Sequence, residues 1–223
     1  MTDVPAAARP FVRPAAERVA LEGPVGVLEA IVETPVDFDG ARSALVCHPH
    51  PLYGGSMENK VVTVTARALE EAGIATVRFN FRGVGASGGT FDEGRGETDD
   101  ALAVADWAGK RWPGASLTAA GFSFGSFVAY QLASRRPVER LITIAPPVKR
   151  FDFEAVPVPA VPWVVIQGDQ DELVDLAAVR AWTTTLARPP ELLVIEGAEH
   201  FFHGKLNDLR SAVLRSLSGR ARP

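Results

Sequence analysis

Short apolar runs rich in β-branched residues alternate along this chain with segments whose apolar positions recur every three to four residues. Arg18–Glu22 and Val27–Glu33 flank Gly23-Pro24 and predict an antiparallel hairpin. Further strands are expected near Ala44–Cys47, Ala75–Phe81, Leu117–Phe122, Leu141–Ile144, Trp163–Gln167 and Leu192–Glu196. Helical periodicity falls near Lys60–Ala72, Glu97–Trp112, Phe124–Arg135, Leu176–Leu186 and Gly204–Leu217. In the first of these helices Val61, Val64, Ala68 and Leu69 share a face before Gly73 stops it; in the last, Leu206, Leu209, Val213 and Leu217 form a stripe.

Strands that alternate with helices predict an α/β fold of about eight mostly parallel strands, with helices covering both faces. No repeat, low-complexity linker or second core interrupts the pattern, so one domain is expected over residues 18–223. Pro5, Pro10 and Pro14 make residues 1–17 an extended or loose tail in this reading. The opening residues lack the apolar core of a signal peptide and no later run is long enough to span a bilayer, which makes the cytoplasm the default expectation. With 23 basic and 27 acidic residues the net charge is -4, which argues against nucleic acid or an anionic membrane as main partner. A single cysteine, Cys47, rules out an internal disulfide. The sequence carries no signal for oligomeric state.

The chemistry starts at Gly121-Phe122-Ser123-Phe124-Gly125, a G-x-S-x-G run placed where a predicted strand meets a predicted helix. A chain that turns sharply there leaves no room for side chains two positions either side, and glycines remove the clash. Ser123 is then the candidate nucleophile, exposed above the sheet edge beside the positive end of a helix. A serine needs a base, and the base needs an orienting acid, each at the carboxyl end of a later strand. "GDQDELVD" and "GAEHFFHGK" follow the predicted strands at Trp163–Gln167 and Leu192–Glu196. His200 is the candidate base, and His203, at the start of the last helix, better suits capping or support. Asp171 and Asp169 are the two candidate acids. Asp171 is preferred because Gly168 and Asp169 suit the turn itself, and Asp175 suits capping the next helix.

At these residues the chain resembles the α/β-hydrolase superfamily, and most closely a small lidless bacterial branch related to dienelactone hydrolases. "CHPHPLYGGSMENKVV", "VRFNFRGVGASGG", "AGFSFGS", "VIQGDQDELVD" and "EHFFHGKL" carry the likeness from about Arg18 onward. The resemblance implies a Ser–Asp–His triad on Ser123, Asp171 and His200. Dienelactone hydrolases use cysteine as nucleophile, whereas serine stands at the elbow here and Cys47 lies inside an apolar strand.

Acyl transfer also needs N–H donors for the developing oxyanion. One is expected from the backbone of Phe124. In "HPHPLYGG" Pro49 and Pro51 have no N–H, and the resemblance assigns the second donor to His50, with Leu52 as the alternative. His48 is expected to shape this loop through backbone hydrogen bonds. His48-x-His50 and His200-x-x-His203 raise zinc as an alternative, but that would leave the serine elbow unexplained, so no metal is expected. Gly83-Val84-Gly85-Ala86-Ser87-Gly88 spells a dinucleotide fingerprint without the helix that should open on it. It is read as structural, pinned by Arg82 to Glu97 or Asp100, and no cofactor is expected.

Only "APPVKRFDFEAVPVPAVP" separates two predicted strands where many relatives insert a cap, so no cap domain and an open site are expected. Tyr53, Phe151, Phe153, Leu173 and Phe201 are the candidate pocket residues; Phe122, Phe124 and Phe202 lie nearby. The expected activity is hydrolysis of small or medium uncharged carboxylic esters. A thioesterase, acyltransferase or small peptidase would use the same triad, and a binding protein without turnover is the alternative of another class.

Overall fold

The computed structural model describes residues 11–218. The part of the expected tail over residues 1–10 lies outside them. The hairpin is β1 (Ala16–Gly23) and β2 (Gly26–Glu33), and it is followed by β3 (Arg42–Cys47), α1 (Lys60–Glu71) and β4 (Ala75–Phe79). The chain continues through α2 (Arg95–Arg111), β5 (Ser116–Phe122), α3 (Phe124–Arg135), β6 (Arg140–Ile144), β7 (Trp163–Gly168), α4 (Leu176–Thr185), β8 (Glu191–Ile195) and α5 (Leu206–Ser218). All eight strands form one sheet in the order β1-β2-β4-β3-β5-β6-β7-β8. β2 runs antiparallel to both neighbours, and every pair from β4 through β3 to β8 is parallel.

Alternate residues of the central strands point to opposite faces, which divides the core in two. Leu45, Ala119, Leu141 and Val165 pack on one side with Val104 of α2, Val128 of α3 and Trp182 of α4. Their neighbours Ala44, Ala120, Ile142 and Ile166 pack on the other with Val62 of α1 and Val213 of α5. The sheet is thereby sealed along both faces, and the carboxyl ends of its parallel strands are left to carry loops. Residues 145–162, between β6 and β7, form no helix or strand, so no lid rises over that edge.

Two of the boundaries that differ from expectation do so for clear local reasons. β4 ends at Phe79 because the chain beyond it leaves the sheet: the Phe81 N–H turns to the His48 imidazole, 3.0 Å away. α5 starts at Leu206, not Gly204, since Phe202 (φ 56°) and Gly204 (φ 71°) are left-handed and cannot belong to its first turn. α2 starts only at Arg95, and the Gly83–Gly88 run opens no helix on its glycines. Arg82 anchors it with a two-pronged bond to buried Asp100, its Nη2 2.7 Å from Oδ1, while Glu97 accepts the N–H groups of Asp92 and Gly94.

Candidate active site

The passage from β5 to α3 leaves Ser123 at φ 52° and ψ -121°, a strained backbone for a residue with a side chain. The flanking glycines follow from contact distances. A Cβ at position 121 would lie 2.0 Å from Gly125 O, and one at position 125 would lie 2.3 Å from Cys47 O. The corner is fixed by the Ser123 N–H, which donates to Ile144 O at 2.8 Å, and by Ser126 Oγ, which donates to Ser123 O at 2.5 Å.

The Ser123 hydroxyl is 3.1 Å from Nε2 of His200, whose Nδ1 is 2.9 Å from Asp171 Oδ2. The side chains of His200 and Asp171 are buried. Asp171 is held in turn by three donors: Leu173 N–H at 2.9 Å, Val174 N–H at 2.7 Å and Gln167 Nε2 at 3.0 Å. A carboxylate only accepts hydrogen bonds, so Nδ1 of His200 carries the proton and Nε2 turns its lone pair to Ser123.

The two candidate acids are separated by their partners. Asp169 Oδ1 accepts the Gly197 N–H at 2.7 Å and ties the β7 loop to the β8 loop, leaving Asp171 on the imidazole. Asp175 caps α4 through the Ala177 N–H at 3.0 Å. His203 caps nothing, because α5 begins later; it is exposed and hydrogen-bonds Glu199.

His48 engages both ring nitrogens with the backbone, Nδ1 donating to Pro49 O at 2.6 Å and Nε2 accepting the Phe81 N–H. Neither nitrogen is left for a metal. Among the described residues no group of three or more His, Cys, Asp or Glu is placed to hold one. Burial pulls the His48 pKa down to about 4 and pushes the Cys47 thiol well up, so that Cys47 is an inert core thiol.

Next to His48 the chain makes a tight 3-10 turn over Pro51–Tyr53. His50 O accepts the N–H groups of Tyr53 and Gly55, and His50 Nδ1 accepts the Leu52 N–H at 3.2 Å, which occupies the alternative oxyanion donor. No partner takes the His50 N–H among the described residues. Phe124 opens α3, and its N–H has no acceptor within the helix.

These groups share a cavity of about 600 Å³ lined by His50, Tyr53, Ser123, Phe124, Phe151, Leu173, His200 and Phe201. Four of the five expected pocket residues therefore lie in its wall. Phe153 does not: it is 2% exposed in the core, its ring edge-on to Phe127 and Trp182. Phe122 and Phe202 are likewise interior. Sequence reasoning missed Asn59, Pro147, Arg150 and Val174, which also line the cavity. The His50 ring sits among Tyr53, Phe91 and Phe124, and its pKa is lowered by burial and then by the Arg150 charge.

A lidless α/β serine hydrolase from Xanthomonas campestris is 46% identical, matching 96% of this chain and 100% of its own with a TM-score of 0.87. An α/β serine hydrolase homologue from Coxiella burnetii is 44% identical over 94% of this chain and 100% of its own, with a TM-score of 0.88. The chain belongs to the lidless α/β serine hydrolases. An uncharacterised protein of Rickettsia prowazekii is 37% identical over 88% of this hydrolase and 86% of its own length. The family described as X-Pro dipeptidyl-peptidase (S15 family) matches residues 27–158 and places the hydrolase in the same superfamily. That stretch includes Ser123 and ends before Asp171 and His200. No helix among the described residues is long and apolar enough to cross a membrane.

Proposed function

We propose that the hydrolase cleaves carboxylic esters through an acyl-enzyme on Ser123. The observation that carries this reading is the unbroken run of hydrogen bonds from Ser123 Oγ through His200 to Asp171 at the wall of an open, largely apolar cavity. Ser123 Oγ attacks the ester carbonyl carbon while Nε2 of His200 takes its proton. Asp171 keeps the resulting imidazolium oriented and charge-balanced. The N–H groups of Phe124 and His50, which have no competing backbone acceptor, receive the oxyanion. As the tetrahedral intermediate collapses, the carbon–oxygen bond to the alcohol breaks and Nε2 protonates the departing oxygen. Water then adds to the acyl-enzyme, giving its proton to Nε2, and Ser123 recovers that proton as the acid leaves.

A peptidase reading has the S15 match in its favour. A dipeptidyl peptidase must also hold a free N-terminal ammonium, and the cavity wall presents a cation, Arg150, with no Asp or Glu to meet one. The wall therefore favours the ester.

The test is covalent labelling by a fluorophosphonate together with turnover of 4-nitrophenyl esters and of an X-Pro dipeptide 4-nitroanilide. Labelling on Ser123 and ester turnover are expected, both lost in Ser123→Ala. Ester turnover that survives in Ser123→Ala, or preference for the anilide, would refute the proposal.

A further inference from the structure

The cavity wall contains one formally charged side chain outside the hydrogen-bonded run from Ser123 to Asp171, and it is basic. Arg150 lines the cavity from the turn that follows β6, and no acidic residue lines it. Among the described residues ten arginines pair with a carboxylate, whereas no ion pair or side-chain hydrogen bond engages the guanidinium of Arg150, the arginine that lines the cavity. Its neighbour Lys149 is paired with Asp175 at 3.3 Å.

The turn that carries Arg150 is held in place. The N–H groups of Arg150 and Phe151 both donate to Pro147 O, at 2.9 and 3.2 Å. Phe151 stacks on Phe127 with ring centroids 5.1 Å apart, and Phe153 is locked in the core just beyond. The backbone is therefore set before any ligand arrives, and only the Arg150 side chain is left to order on binding. The guanidinium charge is felt inside the site, since it helps to lower the His50 pKa. Arg150 is exposed, so its charge acts at the rim of the cleft, where it still draws an anion toward the site.

We propose that Arg150 forms an anion subsite, so that the preferred substrate is an ester whose acyl part ends in a carboxylate, a monoester of a short dicarboxylic acid. This rests on the esterase reading of Ser123 and replaces the uncharged ester expected from the sequence. Arg150 is assigned to the acyl side by the chemistry of the steps. The leaving oxygen must meet Nε2 of His200, which places the alcohol toward His200 and Phe201. We place the acyl end on the other wall, by His50, whose pKa the Arg150 charge helps to lower. A guanidinium can grip a carboxylate with two parallel N–H groups, a geometry that lysine lacks.

The experiment compares 4-nitrophenyl hemiglutarate with 4-nitrophenyl pentanoate, a neutral ester of similar length, in the wild type, Arg150→Met and Arg150→Lys. A charge-assisted bond predicts a loss of about tenfold in kcat/KM for the hemiglutarate in Arg150→Met. The pentanoate should change less than about twofold, Arg150→Lys should recover part of the loss, and added salt should narrow the wild-type preference. Equal loss on both esters, or no loss on either, overturns the subsite while leaving the esterase reading intact. If neither ester is turned over, the esterase reading fails separately, and calorimetry with glutarate still decides the subsite. Weaker glutarate binding in Arg150→Met supports it, and binding indifferent to residue 150 overturns it.

Discussion

Nε2 of His200 lies 3.1 Å from Oγ of Ser123 although 77 positions separate them in the chain. The approach is set by the loops beneath it, and Asp171 and Asp169 divide that work. Asp171 holds the imidazole, whereas Asp169 fastens the loop carrying His200 to the end of β7 through the Gly197 N–H. We expect Asp171→Asn to lower kcat by roughly 10³–10⁴-fold with the fold intact, because an amide can present a donor to Nδ1 and reverse the tautomer. Asp169→Asn should cost about 1 kcal/mol of stability and much less activity. Steady-state kinetics beside urea unfolding separates the two, and a comparable kcat loss in both variants would contradict the division.

Gln167 is the donor that keeps Asp171 turned. Its Nε2 meets three oxygens, Asp171 Oδ2 and Val174 O at 3.0 Å each and Gly168 O at 3.3 Å, which fixes the amide orientation. Gln167→Leu should therefore reduce kcat by about tenfold through misplacement of the carboxylate, with KM nearly unchanged. A rise in KM at constant kcat would instead make Gln167 part of substrate binding.

The elbow tolerates nothing larger than glycine at position 125. Gly125→Ala would drive a methyl into the Cys47 and His48 carbonyl oxygens, 2.3 and 2.5 Å from the new Cβ, and both sit on buried backbone at and just past the end of β3 that cannot retreat. A loss of about 3 kcal/mol or more is expected, read as a lower thermal midpoint with activity lost in parallel. Wild-type stability in this variant would mean that the corner is looser than these distances imply.

The fold was legible because the inner strands obey one rule, alternate residues to alternate faces, and Ala44 and Leu45 do part into the two halves of the core as that rule requires. Ser123 and His200 were legible for a related reason: each occupies a punctuated junction that a strand leaves. What stayed hidden depends on tertiary bonds. Turn chemistry already favours Asp171 over Asp169, but the bond that gives Asp169 its own task, to the Gly197 N–H, is one of these. The end of β4 is set by an imidazole more than thirty positions away in sequence. Phe151 and Phe153 look alike in sequence, yet one faces the cavity and the other the core, since an irregular loop has no period from which to read direction. Arg150 lies in that same loop, and only its place in the cavity wall distinguishes it from other surface arginines.

Glu70 gives the protein a pH response on the alkaline side. It is buried beside Glu33, and burial first, then the Glu33 charge, raise its pKa to about 7, against the Thr76 hydroxyl that donates to it at 2.8 Å. A carboxyl whose folded pKa exceeds its unfolded value favours the folded state fully below about pH 4.5. That contribution is lost as pH rises through 7. Glu70→Gln keeps an oxygen for Thr76 and removes the charge. It should be more stable than the wild type at pH 8, by on the order of 1–3 kcal/mol, and equal to it near pH 4.5. Urea unfolding at the two pH values checks this, and a constant difference between them would count against it.

His48 acts in the opposite sense. The ring is fully buried, tilted against Phe81 with centroids 4.4 Å apart, and its pKa is lowered to about 4 because burial penalises the charged form. The geometry enforces the same outcome. Nδ1–H donates to Pro49 O, so a second proton on Nε2 would point at the Phe81 N–H that Nε2 now accepts. With the folded pKa below the ordinary histidine value, its contribution is complete above about pH 6.5 and disappears as pH falls through 4. The difference between those limits corresponds to about 3 kcal/mol. His48→Gln, which can still donate and accept but does not titrate, should lose that part of the acid sensitivity between pH 6.5 and 4. Because His48 supports the turn that presents the His50 N–H, ester turnover in the wild type should fall along with stability over this range. Parallel stability profiles for the wild type and His48→Gln would show that another group carries the acid response.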